Sequence, residues 1–206
     1  MRVRQAREQR DVALFQRHQE AREHASKLWD AAHSADPRHR YLQAKGVRPH
    51  GLRQLKGLLL VPLVCEGKLV NLQSIHEDGT KRFLAGGRVK SAYSFLGAAT
   101  PGTFLYICEG WVTGATIHEH TGAAVACAMN AGNLLEVGRR LQGQYPDVVL
   151  VVAGDDDRLT EGNPGRTAAN NAAVALGCGV VFPRWSGAEP LELSDFNDLA
   201  RWRSAQ

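Results

Sequence analysis

Three consecutive carboxylates, Asp155, Asp156 and Asp157, end an apolar run that reads VVLVVAGDDDR over 148–158. Another acid, Glu109, ends a second such run, TFLYICEG over 103–110. Carboxylates packed together repel, so one of a cluster is expected to keep its proton unless a cation joins it. Hard oxygen donors at this density suit Mg²⁺ or Mn²⁺. In an extended segment residues i and i+2 point the same way. Asp155 and Asp157 can therefore share an ion while Asp156 points elsewhere. Gly110 and Gly154 are expected to let backbone and a metal-bound phosphate approach closely. A third acidic stretch, SDFNDL over 194–199, holds Asp195 and Asp198. Either these add ligands, or Ser194 or Asp195 caps a terminal helix. Helix capping or simple hydration is the plain alternative for every one of these acids.

Elements must bring the acids together for such chemistry to occur. In an open parallel sheet, functional groups gather beyond the C-terminal ends of the strands. Residues 101–206 alternate between short apolar strands and helices. TFLYICEG is followed by a helix in WVTGATIHEH (111–120), a strand in AAVACAMN (123–130) and an amphipathic helix in NLLEVGRRLQGQ (133–144). Asn133 with Glu136 three residues later reads as the cap of that helix. A strand in DVVLVVAG (147–154), a helix in TAANNAAVALG (167–177) and a strand in CGVVFPRW (178–185) complete the run. This alternation predicts a parallel sheet flanked by helices. If its first and third strands are neighbours, Glu109 and the Asp trio share one crevice.

The upstream half reads differently. Residues 5–33 have a helical composition with a thin apolar stripe at Val12, Leu14, Phe15, Leu28 and Trp29, and Asp36-Pro37 stops it. PRHRYLQAKG (37–46) fits a short helix closed by Gly46. GLLLVPLV (57–64) and KLVNLQSI (68–75) read as strands, with a turn at Asp78-Gly79. KRFLAGG and RVKSAYSFLG follow, and together these segments predict a small antiparallel sheet carrying Lys68, Lys81, Arg82, Arg88 and Lys90. The expected division is a helical segment over 1–40, a basic α+β subdomain over 41–100 and the α/β unit over 101–206.

Charge follows the same division. Residues 31–100 hold 11 Lys/Arg against 4 Asp/Glu, whereas residues 101–206 hold 7 against 12. One half is suited to a polyanion and the other to cations, or the two are simply solvated surfaces of opposite sign. No apolar run approaches the roughly 18 residues of a membrane span, and the charged start lacks a signal-peptide core. A cytoplasmic protein without membrane contact is expected. Cys65, Cys108, Cys127 and Cys178 lie far apart with no C-x-x-C pair, so buried free thiols are expected rather than a zinc ribbon. His118-Glu119-His120 lacks the H-E-x-x-H spacing and reads as a surface helix end. There is no P-loop, nucleophile elbow or catalytic Cys–His pattern.

The order Glu-Gly after a strand, helix, strand, helix, strand, then Asp-x-Asp resembles the Toprim domain, shared by bacterial-type primases, type IA and II topoisomerases and some nucleases. The likeness covers residues 103–206 and rests on Glu109 in YICEG and on Asp155 and Asp157 in GDDDR. It implies that these three carboxylates are catalytic and bind Mg²⁺ or Mn²⁺. The upstream strands resemble the basic N-terminal subdomain of the bacterial primase core. That likeness implies that Arg82, Lys81, Lys90, Arg88 and Arg158 contact nucleotide or nucleic acid. DFNDL resembles a late acidic motif of plasmid and phage primases, which implies ligand roles for Asp195 and Asp198.

The expected activity is therefore synthesis of RNA primers from NTPs on a single-stranded DNA template, as a plasmid, phage or mobile-element DNA primase core, with a replicative helicase as a possible partner. Such primases usually carry a zinc-binding domain upstream and a helicase region downstream. Neither is in this sequence, so a core fragment or a reduced mobile-element protein is expected. The alternatives are a Toprim nuclease using the same metals and a non-catalytic nucleic-acid-binding module. Phe83, Tyr93 and Phe95 are read as core residues before base-stacking ones.

Overall fold

The computed structural model describes residues 2–206. Its chain begins with α1 (Arg2–Ala31), whose alanines decide where it packs. Ala21 and Ala25 are buried, and the small side chains let the second half of the helix lie against β4 (Lys68–Ile75). The first half offers no such surface, and Val12, Leu14 and Phe15 remain exposed.

After β1 (His33–Ser34) and α2 (Arg40–Lys45) come β2 (Arg53–Leu55), β3 (Leu58–Cys65), β4 and β5 (Lys81–Phe83). With β1 they form an antiparallel sheet in the order β1-β2-β3-β4-β5. The apolar run of β3 reflects burial on both faces. Leu59, Val61 and Leu63 point into the main core, while Leu60 and Leu72 pack beneath α1.

The second sheet has the order β10-β9-β7-β8-β6, with β6 at Ser94–Leu96. Its parallel strands are β7 (Phe104–Cys108), β8 (Ala124–Cys127), β9 (Val149–Ala153) and β10 (Gly179–Val181). Helices α3 (Trp111–Thr121), α4 (Leu134–Gln144), α5 (Pro164–Leu176) and α6 (Phe196–Ser204) flank it. The fold is thus an α/β unit with a parallel sheet between helices, preceded by a helix and a small antiparallel sheet.

The segment 84–96 departs from the expectation of a further strand in the basic sheet. Residues 84–93 form no regular strand, and β6 (Ser94–Leu96) pairs antiparallel with β8, so it belongs to the second sheet. Tyr93 bridges back to Val64 of β3. Apolar residues 94–96 fit a buried edge position in either sheet, and their sequence does not choose between them.

The two sheets share one core. Leu42, Leu59, Val61 and Ile75 from the first half cluster with Leu96, Trp111, Val112, Ala115 and Val125 from the second. Asn133 adds a polar clasp. Its side chain does not cap α4, contrary to expectation. It turns instead to the 89–92 segment, accepting from Ser91 N at 2.8 Å and placing its amide nitrogen within 3.0 Å of the carbonyls of Val89, Ala92 and Ala128. These buried groups have no water to replace a lost partner, so they outcompete a solvent-exposed cap.

Among the described residues, no helix is long and apolar enough to cross a membrane. The Asn133→Ala variant is expected to lose about 2–4 kcal/mol. Hydrogen exchange should rise first at residues 89–93. A rise confined to the first turn of α4 would instead mark Asn133 as a helix cap.

Candidate metal centre and nucleic-acid interface

Strands β7 and β9 are parallel neighbours, with Cys108 opposite Ala153. Glu109 and Asp155 therefore leave the same edge of the sheet within one residue of each other in register. Glu109 is half-buried just before the N-cap of α3, Gly110. Burial and the nearby Asp157 raise its pKa, and an Ala131 N–H and the Lys81 ammonium oppose the rise. Asp157 accepts from the Gly165 N–H at 2.8 Å, at the N-terminus of α5. Helix α6 brings the late acids to the same place. Asp195 caps that helix through Asp198 N at 2.7 Å and accepts from the Thr113 hydroxyl at 3.1 Å. The capping reading of the SDFNDL stretch holds for Asp195, and the same residue lies beside the acids of the lobe.

Asp155 carries most of the strain. Its pKa is pushed up to about 8, first by burial and then by the charges of Asp195, Glu109, Asp157 and Asp198. Its Oδ1 is buried with no hydrogen-bond partner. Asp156 is the opposite case. It is 4% exposed and turned away, held by Arg166 at 2.9 Å, Asn163 at 2.7 Å and the Trp185 indole at 2.9 Å. The Arg166 contact is the main reason its pKa falls to about 2. The i, i+2 argument thus separates two lobe acids from one structural acid.

The donor set fits a hard divalent cation: carboxylate oxygens only, an orphaned buried oxygen, and like charge that Lys45 and Lys81 offset only in part. Among the described residues, however, no three acid, histidine or cysteine side chains already form a ready group for an ion. Asp157 and Asp195 are turned toward their backbone and hydroxyl donors, so the charge is gathered but the cage is not closed. Glu109, Asp155 and Asp157 could hold the ion, with Asp195 and Asp198 beside them.

The basic residues divide. Lys81 on β5 pairs opposite Ile75, on the face toward the shared core, where its charge reaches Glu109. Arg82 pairs opposite Ser74 and lies on the other face, with Leu72 and Leu60. Arg88 donates to the Lys90 carbonyl at 2.9 Å and lines a pocket against α1 rather than the acids. Lys90 is exposed. Arg158 is engaged locally: its guanidinium lies 4.0 Å over the Trp185 ring and donates to the carbonyls of Pro190 and Leu193.

Gly154 does not open space for a phosphate, as expected from sequence, because a Cβ there would collide with Ala169 and Phe182. It is a packing glycine. Gly110 has only Thr113 Oγ1 near it, at 3.8 Å, and keeps that space.

Three residues escaped the sequence reading. Lys45, ending α2, lies 3.9 Å from Asp198. Tyr41, one turn earlier, has a buried, unpartnered hydroxyl, and its pKa rises to about 12 chiefly from burial. Thr113 orients Asp195. The closing of α2 by Gly46 placed a basic residue at a helix end, but nothing in the sequence said which acids it would face. A cavity of about 550 Å³ between α3, α6 and β10 contains none of the acids and lies apart from the chemistry.

A parallel sheet whose C-terminal edge gathers Glu, Asp-x-Asp and a late acidic pair defines the class. A family model described as the Toprim domain matches residues 104–206, and the chain belongs to that family. It is similar to the DNA primase TraC of Escherichia coli, 40% identical over an alignment of 162 positions that covers 72% of this chain. The chain spans only 15% of that relative's length. The same fold occurs in the primase fragment of the bacteriophage T7 primase-helicase protein, with a TM-score of 0.59 at 15% identity over 84% of this chain and 72% of that one. It also occurs in the DnaG catalytic core, with a TM-score of 0.54 at 12% identity over 92% and 76%.

Between the unfolded carboxylate value of about 3.9 and its folded value of about 8, Asp155 holds a proton that the unfolded chain has lost. Stability without metal therefore falls as pH rises through that window. Asp155→Asn is expected to raise Tm in EDTA at pH 8 by roughly 4–8 °C, equivalent to about 2 kcal/mol, with little change at pH 4. Thermal melts at the two pH values test this, and an unchanged Tm at pH 8 would mean the carboxylate is well solvated.

Proposed function

We propose that the chain is the catalytic core of a plasmid- or phage-type DNA primase, a nucleotidyltransferase that joins NTPs into short RNA primers on single-stranded DNA. The observation that carries this reading is the acid lobe of Glu109, Asp155 and Asp157 with Lys81 and Lys45 facing it from a basic subdomain. The similarity to the DNA primase TraC supports it, because the aligned 72% of this chain extends beyond the Toprim domain into the upstream half.

In this reading a 3′ hydroxyl attacks the α-phosphorus of an NTP, the bond to the β-phosphate oxygen breaks and pyrophosphate leaves. A Mg²⁺ or Mn²⁺ ion, when bound by Glu109, Asp155 and Asp157, supplies positive charge that stabilises the triphosphate oxygens in such an in-line displacement. The chain's own residues do the rest. Thr113 and the Asp198 N–H hold Asp195 beside the lobe, and the Gly165 N–H holds Asp157. Lys81 and Lys45 offer ammonium groups to phosphate oxygens, acting as point charges that tolerate different poses. In this reading the template runs past Lys81 and Lys45 on the basic half and the acids on the other. Lys90, exposed, and Arg82, on the outer face, contact the template farther out. Phosphate contacts of this kind give weak sequence preference and strong salt dependence.

Incubation with Mn²⁺, NTPs and a single-stranded DNA template is expected to give NTP-dependent primers. Asp155→Ala and Glu109→Ala are each expected to reduce the yield at least 100-fold, consistent with loss of charge stabilisation in phosphoryl transfer. Shortened DNA without NTP-dependent products would assign the lobe to a nuclease. Primer synthesis that persists in both variants would remove the lobe from catalysis.

A further inference from the structure

A second concentration of like charge lies at the far end of the basic sheet. Phe15, His18, Gln19 and Arg22 follow the i, i+3, i+4, i+7 spacing of one helical stripe on α1. With Lys68, Val70, Cys65, Glu66 and Arg88 they line a pocket of about 220 Å³. Lys68 starts β4 and Lys81 pairs opposite its last residue, Ile75. The seven intervening steps put this pocket about 23 Å along the strand from the Lys81 end.

Three full cations line the pocket, and among the described residues none of them is ion-paired. Glu66, the only carboxylate lining it, is paired with Arg140 at 3.0 Å. Burial, then Arg88 and Arg17, lowers the pKa of His18, and an imidazole in either protonation state has an N–H to donate. The positive charge of the three cations has no carboxylate paired to it within the pocket. An anion with several oxygens answers it. Phe15, at the rim, is 63% exposed. An exposed aromatic ring beside unpaired cations matches the requirements of a base and its phosphate in a single strand.

We propose that this pocket seats a backbone phosphate of single-stranded nucleic acid, with a neighbouring base stacked on Phe15, as a second contact remote from the acid lobe. The proposal rests on the reading that the chain handles a single-stranded template. Arg22, Lys68 and Arg88 neutralise the phosphate, and His18 donates to it. The template would then have two holding points about 23 Å apart along β4. The outer point anchors the strand while the lobe acts on another part of it.

Fluorescence anisotropy with a labelled 20-nucleotide oligo-dT in EDTA, at several salt concentrations, tests the pocket without the metal. The double variant Arg22→Gln/Lys68→Gln is expected to bind about tenfold or more weakly at 0.1 M salt. Its slope of log K against log salt should shrink by about 1.4, two single-strand phosphate contacts at about 0.7 each. Phe15→Ala is expected to weaken oligo-dT binding about fivefold to tenfold while leaving duplex binding unchanged. That arm separates a strand from a free phosphate ion, which has no base to stack. Circular dichroism melts confirm that each variant is folded. Wild-type affinity and slope in folded variants would overturn the proposal and leave the template reading standing. A wild-type chain that does not bind the oligonucleotide would overturn both.

Discussion

Five carboxylates, Glu109, Asp155, Asp157, Asp195 and Asp198, crowd the edge of one sheet, and their mutual repulsion is the constraint on which the site depends. The fold tolerates it by three means. Asp157 and Asp195 receive backbone N–H donors at helix starts, where such charge is favoured. Lys45 and Lys81 bring opposite charge from the other half of the chain. Asp155 is left holding a proton, with one oxygen that nothing in the protein satisfies. A group in that state gains from a cation and loses without one. The pKa rise is thus a statement about function as well as stability.

Such a site needs its two halves fixed against each other, because charge at a few ångströms is sensitive to small displacements. The shared core that runs from Leu59 and Ile75 to Trp111 and Val125 supplies most of this rigidity through burial. Asn133 supplies direction, since its four partners lie in the segment that connects β5 to β6 and at the end of β8. A second polar clasp lies farther round the joint, where His50 and the Arg48 N–H meet Glu119. The Glu119 of the apparently idle His-Glu-His stretch is therefore a structural partner, not a ligand.

Much of this was legible in the sequence. Strand–helix alternation after residue 101 predicted the parallel sheet, and the position of acids at strand ends predicted which edge would gather them. The two-residue period of extended chain separated Asp155 and Asp157 from Asp156. What was not legible depended on long-range choice. Ser94–Leu96 is apolar enough for either sheet, and only pairing with Val125–Cys127 decides between them. Asn133 carries a helix-cap signature but is recruited by buried carbonyls some forty residues upstream. Gly154 looked like room for a ligand because sequence cannot show that Ala169 and Phe182 fill that room. Arg158 looked like a phosphate ligand, yet Trp185 and two loop carbonyls claim it.

The trio at 155–157 shows how adjacent identical residues come to opposite uses. Asp156 accepts from Arg166, Asn163 and Trp185, so its charge is stabilised and its pKa falls to about 2. It ties the end of β9 to α5 and to the loop at Trp185, and that tie fixes the backbone on both sides. With the middle residue anchored outward, the period of the chain turns both neighbours inward whatever their mutual repulsion. Asp156 thus helps hold Asp155 in a setting it would otherwise escape by rotating toward water. The middle carboxylate need not touch a ligand to matter to the site, because its favourable contacts offset part of the unfavourable charge beside it.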